Sequence, residues 1–496
     1  MKLLFASSEI FPLAKTGGLA DVAGALPVAL HRAKIDLRLL MPAYRGIAEQ
    51  ADAKQIANLG DPFGLGDTIL LEGRLPDSHL PLWLVDNPSL FDRDGGPYQD
   101  GQGTDWPDND MRFGLLGWTA ARLCQANSPL AWKPDILHTH DWQTGLASAY
   151  LKAWGEPRPG LVFTIHNMAY QGLFPPALVP RLGLPWSFYT MDGFEYWSQL
   201  SYLKAGLVFA DKLTTVSPTY AREIQTSAYG FGMQGLLSYR AHDLHGILNG
   251  ADYAIWDPSN DRELHQTYGI DDRGSGKAAN KAALQRELGL PQIPDAPLLV
   301  VISRLSDQKG MDLLLSAMPA VIAQGGQLAL LGSGQRGVED AFLALTEACP
   351  THVAMHIGYS EALAHRLQAG GDIVLMPSRF EPCGLTQLYA MRYGTLPVVH
   401  RTGGLADTVV DATYDAMLAG TATGFVFEQP TASAFQWSIE RAIGLYRNPD
   451  QWARLQATAM RQDFGWDRSA AEYLELYRSL RPNSFPSHTE TNAVAT

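Results

Sequence analysis

Short apolar runs alternate along most of this chain with longer stretches in which apolar positions recur at helical spacing, and each run closes on a polar cluster. In the first half, residues 3–7, 37–41, 136–138 and 161–165 read as strands and 19–31 as a helix. Runs that are apolar throughout belong to strands covered on both faces, and strands that take turns with helices build a parallel sheet. Such a sheet offers ligand-binding groups at the carboxyl ends of its strands. Residues 86–110, rich in Gly, Asp, Pro and Asn, predict a long loop. The pattern breaks at 249–260, where an interdomain linker is expected. A second rhythm follows, with strands at 298–303, 328–331, 353–357, 373–377 and 396–400 and helices at 311–323, 338–347 and about 470–480. The tail from Pro482, rich in Pro, Ser, Thr and Asn, predicts disorder.

A length of 496 residues exceeds what one core supports, so two or three domains are expected. The net charge of −13 argues against nucleic acid or an anionic membrane as the main partner, while a neutral polymer is not repelled. Three cysteines make no disulfide framework and fit a reducing cytoplasm. The opening Met-Lys-Leu-Leu-Phe-Ala-Ser-Ser is too short an apolar run for a signal peptide and meets Glu9 early. It reads as the first strand.

One glycine loop occurs twice. Lys15-Thr16-Gly17-Gly18-Leu19-Ala20-Asp21 and Arg401-Thr402-Gly403-Gly404-Leu405-Ala406-Asp407 each place a cation before Gly-Gly at the start of a helix. Glycines let the backbone approach a ligand, and the helix N-terminus favours an anion or a polar sugar face. Two copies predict two nucleotide-binding-type halves facing one ligand. Gly332-Ser333-Gly334-Gln335-Arg336-Gly337 has the form of a dinucleotide fingerprint, but no acidic residue closes the next strand, so a tight turn is favoured. Arg304 and Lys309, between a strand and a helix, suit a diphosphate. Glu381 in Arg379-Phe380-Glu381-Pro382-Cys383-Gly384-Leu385-Thr386 places a carboxylate at a strand end, before a helix starting near Leu385. His138, His140, Asp141, Trp142, His166 and Asn167 cluster at two strand ends. That mixture suits a hydrogen-bonding and stacking sugar site better than a closed zinc site, and a structural role is favoured for each histidine except His166.

These motifs together, with Asn249-Gly250, resemble the bacterial glycogen synthases and plant starch synthases over residues 1 to about 480. The resemblance implies an α/β protein of GT-B type, two Rossmann-like domains with a cleft that closes over substrate. Residues 1–248 would form the acceptor-side domain and 249–466 the donor-side domain. A C-terminal helix at about 467–480 would pack back on the first, and 482–496 would be a disordered tail. It implies transfer of glucose from ADP-glucose to the non-reducing-end 4-hydroxyl of glycogen or a malto-oligosaccharide, with retention. Arg304 and Lys309 would hold the diphosphate, Lys15 would reach it or the glucose, Glu381 would lie near the glucose, and His166 and Asp141 would flank the reacting sugar. Gly17, Gly18, Asp21, Tyr98, Trp142, Asn249, Cys383, Gly384, Leu385 and Thr386 would complete the substrate contacts, and Tyr359 would stack on adenine. No cofactor is expected, since no pyridoxal-phosphate lysine motif is present, and no metal. Asp92-Arg93-Asp94 and Asp108-Asn109-Asp110 match the Asp-x-Asp form but read as solvated turns. Retention by double displacement needs a carboxylate on the far face of the sugar; front-face attack, with a leaving phosphate oxygen taking the acceptor's proton, is the family's usual route, and both stay open. Two positions depart from related patterns. Gln143 stands where the family commonly has His, and Tyr389 where many retaining relatives of the architecture carry a second Glu.

Overall fold

The computed structural model describes residues 1–480, and the predicted tail lies outside them. The chain divides into two units, residues 1–250 with the segment from Trp466 onward, and Ala251–Gly465. In the first unit, strand Lys2–Ala6 sits at the middle of a nine-stranded sheet. On one side follow Asp36–Pro42, Pro81–Asp86, Ile69–Arg74 and Lys54–Asn58; on the other Ile136–His140, Gly160–Ile165, Lys212–Thr215 and Leu244–Gly246. Pairing is parallel except along Ile69–Arg74, which runs antiparallel to both neighbours. Leu3, Leu4 and Phe5 are fully buried, as an all-apolar central strand requires.

Strand order reverses beside Lys2–Ala6: the chain leaves it for Asp36–Pro42 and later returns to its other edge as Ile136–His140. The crevice outside the carboxyl ends at such a reversal is where open α/β sheets bind ligands. The loop carrying Lys15 and the turn carrying Asp141 both leave from there. Helix Gly18–Arg32 buries Leu19, Val22, Leu26 and Leu30 on one face. The last helix, Trp466–Leu480, packs Trp466, Ala470, Tyr473 and Tyr477 into the same core.

The second unit repeats the plan with six parallel strands in the order Val353–Ile357, Gln327–Gly332, Leu298–Ile302, Ile373–Met376, Leu396–His400 and Phe425–Phe427. Its reversal lies between Leu298–Ile302 and Ile373–Met376. The glycines of the fingerprint-like segment are used by the backbone: a Cβ on Gly332 would lie 2.0 Å from the Ser303 carbonyl, and one on Gly334 2.2 Å from that of Leu305.

Several expectations are corrected. The strand predicted at 136–138 runs on through Thr139 and His140, whose side chains find partners on the neighbouring strand and beyond its end: Thr139 Oγ1 donates to the Val162 carbonyl at 3.2 Å and His140 Nδ1 meets His166 Nε2 at 3.0 Å, with His140 Nε2 left buried and unpartnered. The last helix begins at Trp466, ahead of 470. Residues 86–110 hold a helical turn, Pro88–Phe91, and are pinned by the fully buried Arg112, whose Nε donates to the Leu90 carbonyl and Nη1 to that of Pro97, both at 2.8 Å. The division between the units, at Gly250 and Ala251, falls within the linker expected at 249–260, and the residues after it are packed. Trp256 stacks between His365 and Tyr389, at ring-centroid distances of 3.8 and 4.1 Å, and Asp261 meets His365 Nδ1 at 2.7 Å. The small three-stranded sheet of Leu173–Phe174, Gln199–Ser201 and Glu195–Tyr196 had no sequence signal, its strands being too short to show a period.

Candidate active site

In the first unit the glycine loop is built around a side chain that sequence reasoning passed over. Glu9, buried just beyond strand Lys2–Ala6, accepts on Oε2 from the amides of Thr16 and Gly17, the latter at 3.3 Å. Its Oε1 accepts from the Tyr98 hydroxyl, which also meets Ser8 Oγ at 2.8 Å. The amides of Thr16 and Gly17 are therefore turned to an internal carboxylate. Burial pushes the Glu9 carboxyl up, against the Tyr98 and amide hydrogen bonds that lower it. Lys15 Nζ pairs with Asp21 Oδ1 at 2.8 Å and lies 5.2 Å from the centre of the Phe11 ring. Thr16, Gly17 and Gly18 are exposed.

Asp141 follows strand Ile136–His140 with φ 55° and ψ −176°, a backbone region otherwise occupied essentially by glycine. Its Oδ1 accepts from the His166 amide at 2.7 Å and the Asn167 amide at 3.4 Å, joining the two strand ends. Burial raises its carboxyl to about 7. Burial also lowers His166 to about 3, so this ring is neutral, and its Nε2 meets His140 Nδ1 at 3.0 Å. His138 is a satisfied core histidine, bonded to Thr164 Oγ1 at 2.6 Å and Tyr477 Oη at 2.8 Å. Trp142, half-buried, packs its ring against Gly172, Phe113, Phe174 and Tyr202. Asn249 Oδ1 and Gln143 Oε1 are buried without a hydrogen-bond partner.

The Asp141 shift carries a stability consequence. Its folded pKa lies above the unfolded value near 4, so the folded state holds a proton that the unfolded state has lost between about pH 4 and 7. Wild-type stability therefore falls relative to Asp141→Asn as pH rises through that window and levels off above it. Denaturant melts of both proteins from pH 4 to 8 check this; parallel curves would refute the buried, protonated carboxyl.

In the second unit, Lys309 and Glu381 come from the two strand ends at the reversal and meet, Nζ to Oε2, at 2.5 Å. Ser378 Oγ donates to the same oxygen at 2.9 Å, and the Ser378 carbonyl is 2.8 Å from His400 Nδ1. Lys309 closes a 3₁₀ turn, Asp307–Lys309, before helix Met311–Ala323. Gly310 follows with φ 67°, and a Cβ there would lie 2.1 Å from the Pro377 carbonyl. Arg379 ties the two loops together, reaching both Asp312 oxygens at 2.8 and 2.7 Å and the Asp307 carbonyl at 2.7 Å. Arg304 is exposed on the same loop, and Tyr359 is exposed beyond strand Val353–Ile357. Cys383 is buried, and Gly384 at φ 73° and Leu385 lead into helix Thr386–Arg392, whose Gln387 donates to the Cys383 and Gly384 carbonyls at 3.1 and 2.9 Å.

The twin glycine loops differ in use. At Gly17 a Cβ would find nothing within 4 Å. At Gly403, with φ 43°, it would lie 1.9 Å from the Glu381 carbonyl, and at Gly404 2.2 Å from that of Cys383. In the second copy Thr402–Leu405 are buried and buttress the Glu381 turn, while Arg401 and Asp407 are exposed. Gly403→Ala is expected to destabilise by about 2–4 kcal/mol, through left-handed backbone plus forced displacement, and to lower activity with it. Gly17→Ala should leave stability within about 0.5 kcal/mol, as at open surface positions. Equal melting temperatures for the two variants would contradict this.

Residues 2–239 match the starch synthase catalytic domain family, and 289–456 the glycosyl transferases group 1 family. A glycogen synthase of Paramagnetospirillum magneticum is 61% identical over 97% of this chain and 98% of its own, and one of Thioalkalivibrio sulfidiphilus 51% identical over 97% and 100%. The chain belongs to the glycogen and starch synthase family. The catalytic domain of starch synthase IV from Arabidopsis thaliana, solved bound to ADP and acarbose, superposes with a TM-score of 0.86 at 32% identity, covering 96% of this chain and 98% of that one. A sucrose-phosphate synthase from Thermosynechococcus elongatus shares the fold at TM-score 0.60 and 16% identity, over 97% and 98% of the two chains. This member of the synthase family is thus a GT-B glycosyltransferase. In it, Tyr389 is the flat partner of Trp256. Among the described residues no helix is long and apolar enough to cross a membrane, and Cys124, Cys349 and Cys383 form no disulfide.

Proposed function

We propose that this synthase-family chain transfers glucose from ADP-glucose to the 4-hydroxyl at the non-reducing end of an α-1,4-glucan, with retention, in the cytoplasm. The observation that carries the reading is the Lys309–Glu381 pair at 2.5 Å at the second sheet's reversal. Breaking a glycosidic bond to a diphosphate builds negative charge on the leaving group and positive charge on the sugar. A fixed ammonium serves the first, and a carboxylate beside it the second. Lys309 and Arg304 hold the diphosphate, Glu381 lies at the glucose, and Tyr359 offers an exposed ring to adenine. The turn from Cys383 to Thr386 lines the donor sugar. From the first unit, Lys15 and the open Gly17-Gly18 backbone meet the donor, while Asp141 and neutral His166 take sugar hydroxyls. Asn249 Oδ1, buried without a partner, is an acceptor that a substrate hydroxyl would complete.

The Asp-x-Asp triplets have other employment. Asp92 and Asp94 pair with Arg45 at 2.7 and 2.5 Å, Asp108 is held by both Arg93 terminal nitrogens at 2.8 Å, and Asp110 bonds the Met111 amide at 2.6 Å. Radiolabelled glucose transfer to a glycogen primer, run with ADP-glucose or UDP-glucose and with or without prior EDTA, tests the reading. Incorporation from ADP-glucose that survives EDTA is expected. Transfer from UDP-glucose alone would reassign the donor, no transfer from either would remove the activity, and loss with EDTA reversed by Mg²⁺ would reassign the diphosphate cradle.

A further inference from the structure

We propose that Glu9 is a positioning residue for the Lys15-Thr16-Gly17-Gly18 loop, acting through its shape as an acceptor rather than through its charge. The inference rests on the role given above to Lys15. Three observations support it. Glu9 is 3% exposed, yet its carboxylate reaches two otherwise separate parts of the unit: the amides of Thr16 and Gly17 on one oxygen, the Tyr98 hydroxyl on the other. Its own backbone is fixed, since Ser7 Oγ donates to the Glu9 carbonyl at 2.8 Å. Tyr98 is fixed in turn, because Arg112 holds the neighbouring Pro97 carbonyl and Asn109 Nδ2 holds that of Tyr98 at 2.9 Å. A rigid element therefore runs from buried Arg112 through Tyr98 and Glu9 to an exposed loop, where Glu9 Oε2 holds the amides of Thr16 and Gly17.

The charge on Glu9 is not what the position requires. Burial opposes its ionisation most and Asp21 adds to this, against the hydrogen bonds from Tyr98, Thr16 and Gly17. What the position requires is an acceptor for the two loop amides and a hydrogen-bonding partner for the Tyr98 hydroxyl. A glutamine meets that need: its carbonyl oxygen takes the two amides, and its NH₂ donates to Tyr98 Oη, whose hydroxyl hydrogen then turns to Ser8 Oγ. Alanine leaves two amides of the loop without their acceptor, and aspartate is one methylene too short to span both partners.

The test compares Glu9→Gln, Glu9→Ala, Glu9→Asp, Lys15→Ala and the Glu9→Ala/Lys15→Ala double variant. In transfer from ADP-glucose to glycogen, Glu9→Ala is expected to lower kcat/KM for the donor about 10²-fold, the scale of a reacting group misplaced by about 1 Å. KM for glycogen should stay within about threefold, the loop being assigned to the donor. Glu9→Gln should recover most of that loss and Glu9→Asp little of it. Because Glu9 acts through Lys15, the double variant should be no worse than Lys15→Ala alone. Additive losses, or a Glu9→Gln as impaired as Glu9→Ala, would overturn the proposal. Hydrogen exchange over residues 10–21 reads the same loop without any activity. Exchange should quicken at least about tenfold in Glu9→Ala and stay near wild type in Glu9→Gln, as local opening without a lost acceptor demands. Should Glu9→Ala not fold, Glu9→Asp against Glu9→Gln carries both readouts. If the wild type transfers no glucose, the functional reading fails, and exchange alone still decides the role of Glu9.

Discussion

Glu381→Gln is expected to lower kcat by about 10²–10³-fold with the fold intact, the scale set by losing one preorganised charge-stabilising group. The isostere keeps an oxygen for Lys309 Nζ and Ser378 Oγ, which reach Glu381 at 2.5 and 2.9 Å, so packing and hydrogen bonds survive. Only the negative charge, proposed to lie beside the sugar, is removed. KM for the donor should change little, because the charge matters when the anomeric carbon becomes cationic. Steady-state kinetics with both substrates varied, and a thermal melt on the same sample, check this. A variant with near-normal kcat would place Glu381 outside the chemistry and leave its buried carboxylate a structural partner of Lys309.

Lys309→Ala should weaken transition-state stabilisation by about 3–4 kcal/mol, read as kcat/KM for the donor. In the proposed reaction charge develops on the diphosphate as the glycosidic bond breaks, and Lys309 is the cation assigned to it; Gly310 permits the close approach of its loop to Pro377, and Arg379 clamps the two loops to each other. The two substitutions should not add. The partners touch, so removing Lys309 also alters the setting of Glu381, and the double variant should lose less than the product of the single losses. A loss below tenfold in Lys309→Ala would move the diphosphate elsewhere. Independent, additive effects would contradict the pair as one device.

The architecture was legible because a parallel α/β sheet writes itself locally. All-apolar runs bounded by polar clusters mark its strands, and helical periodicity marks what lies between. Predicted helix 311–323 and strands 353–357 and 396–400 coincide with Met311–Ala323, Val353–Ile357 and Leu396–His400. Lys309 and Glu381 were found separately by the same logic, each at the carboxyl end of a strand. Boundaries slipped where tertiary partners override local signals. Thr139 looks like the polar end of a strand until the Val162 carbonyl across the sheet accepts from its hydroxyl. Trp256 looks like an aromatic in a linker until His365 and Tyr389 supply its slot.

What the chain's own order of residues determined is thus the class of fold, the strand-end positions of the reactive groups and the family to which those motifs belong. Which groups act on each other only the tertiary structure decided. Glu9 has a strand-end position as plain as that of Glu381, but its partners, Thr16, Gly17 and Tyr98, are joined to it by loop closure rather than by any spacing. The twin Thr-Gly-Gly-Leu segments make the point most sharply. Identical residues at like positions end with one glycine pair open to solvent and the other pressed on the backbone of Glu381 and Cys383. A glycine specifies only that the backbone has room to approach something. Long-range packing, with its short-range repulsion between atoms distant in sequence, specifies whether that something is a ligand or another loop of the chain.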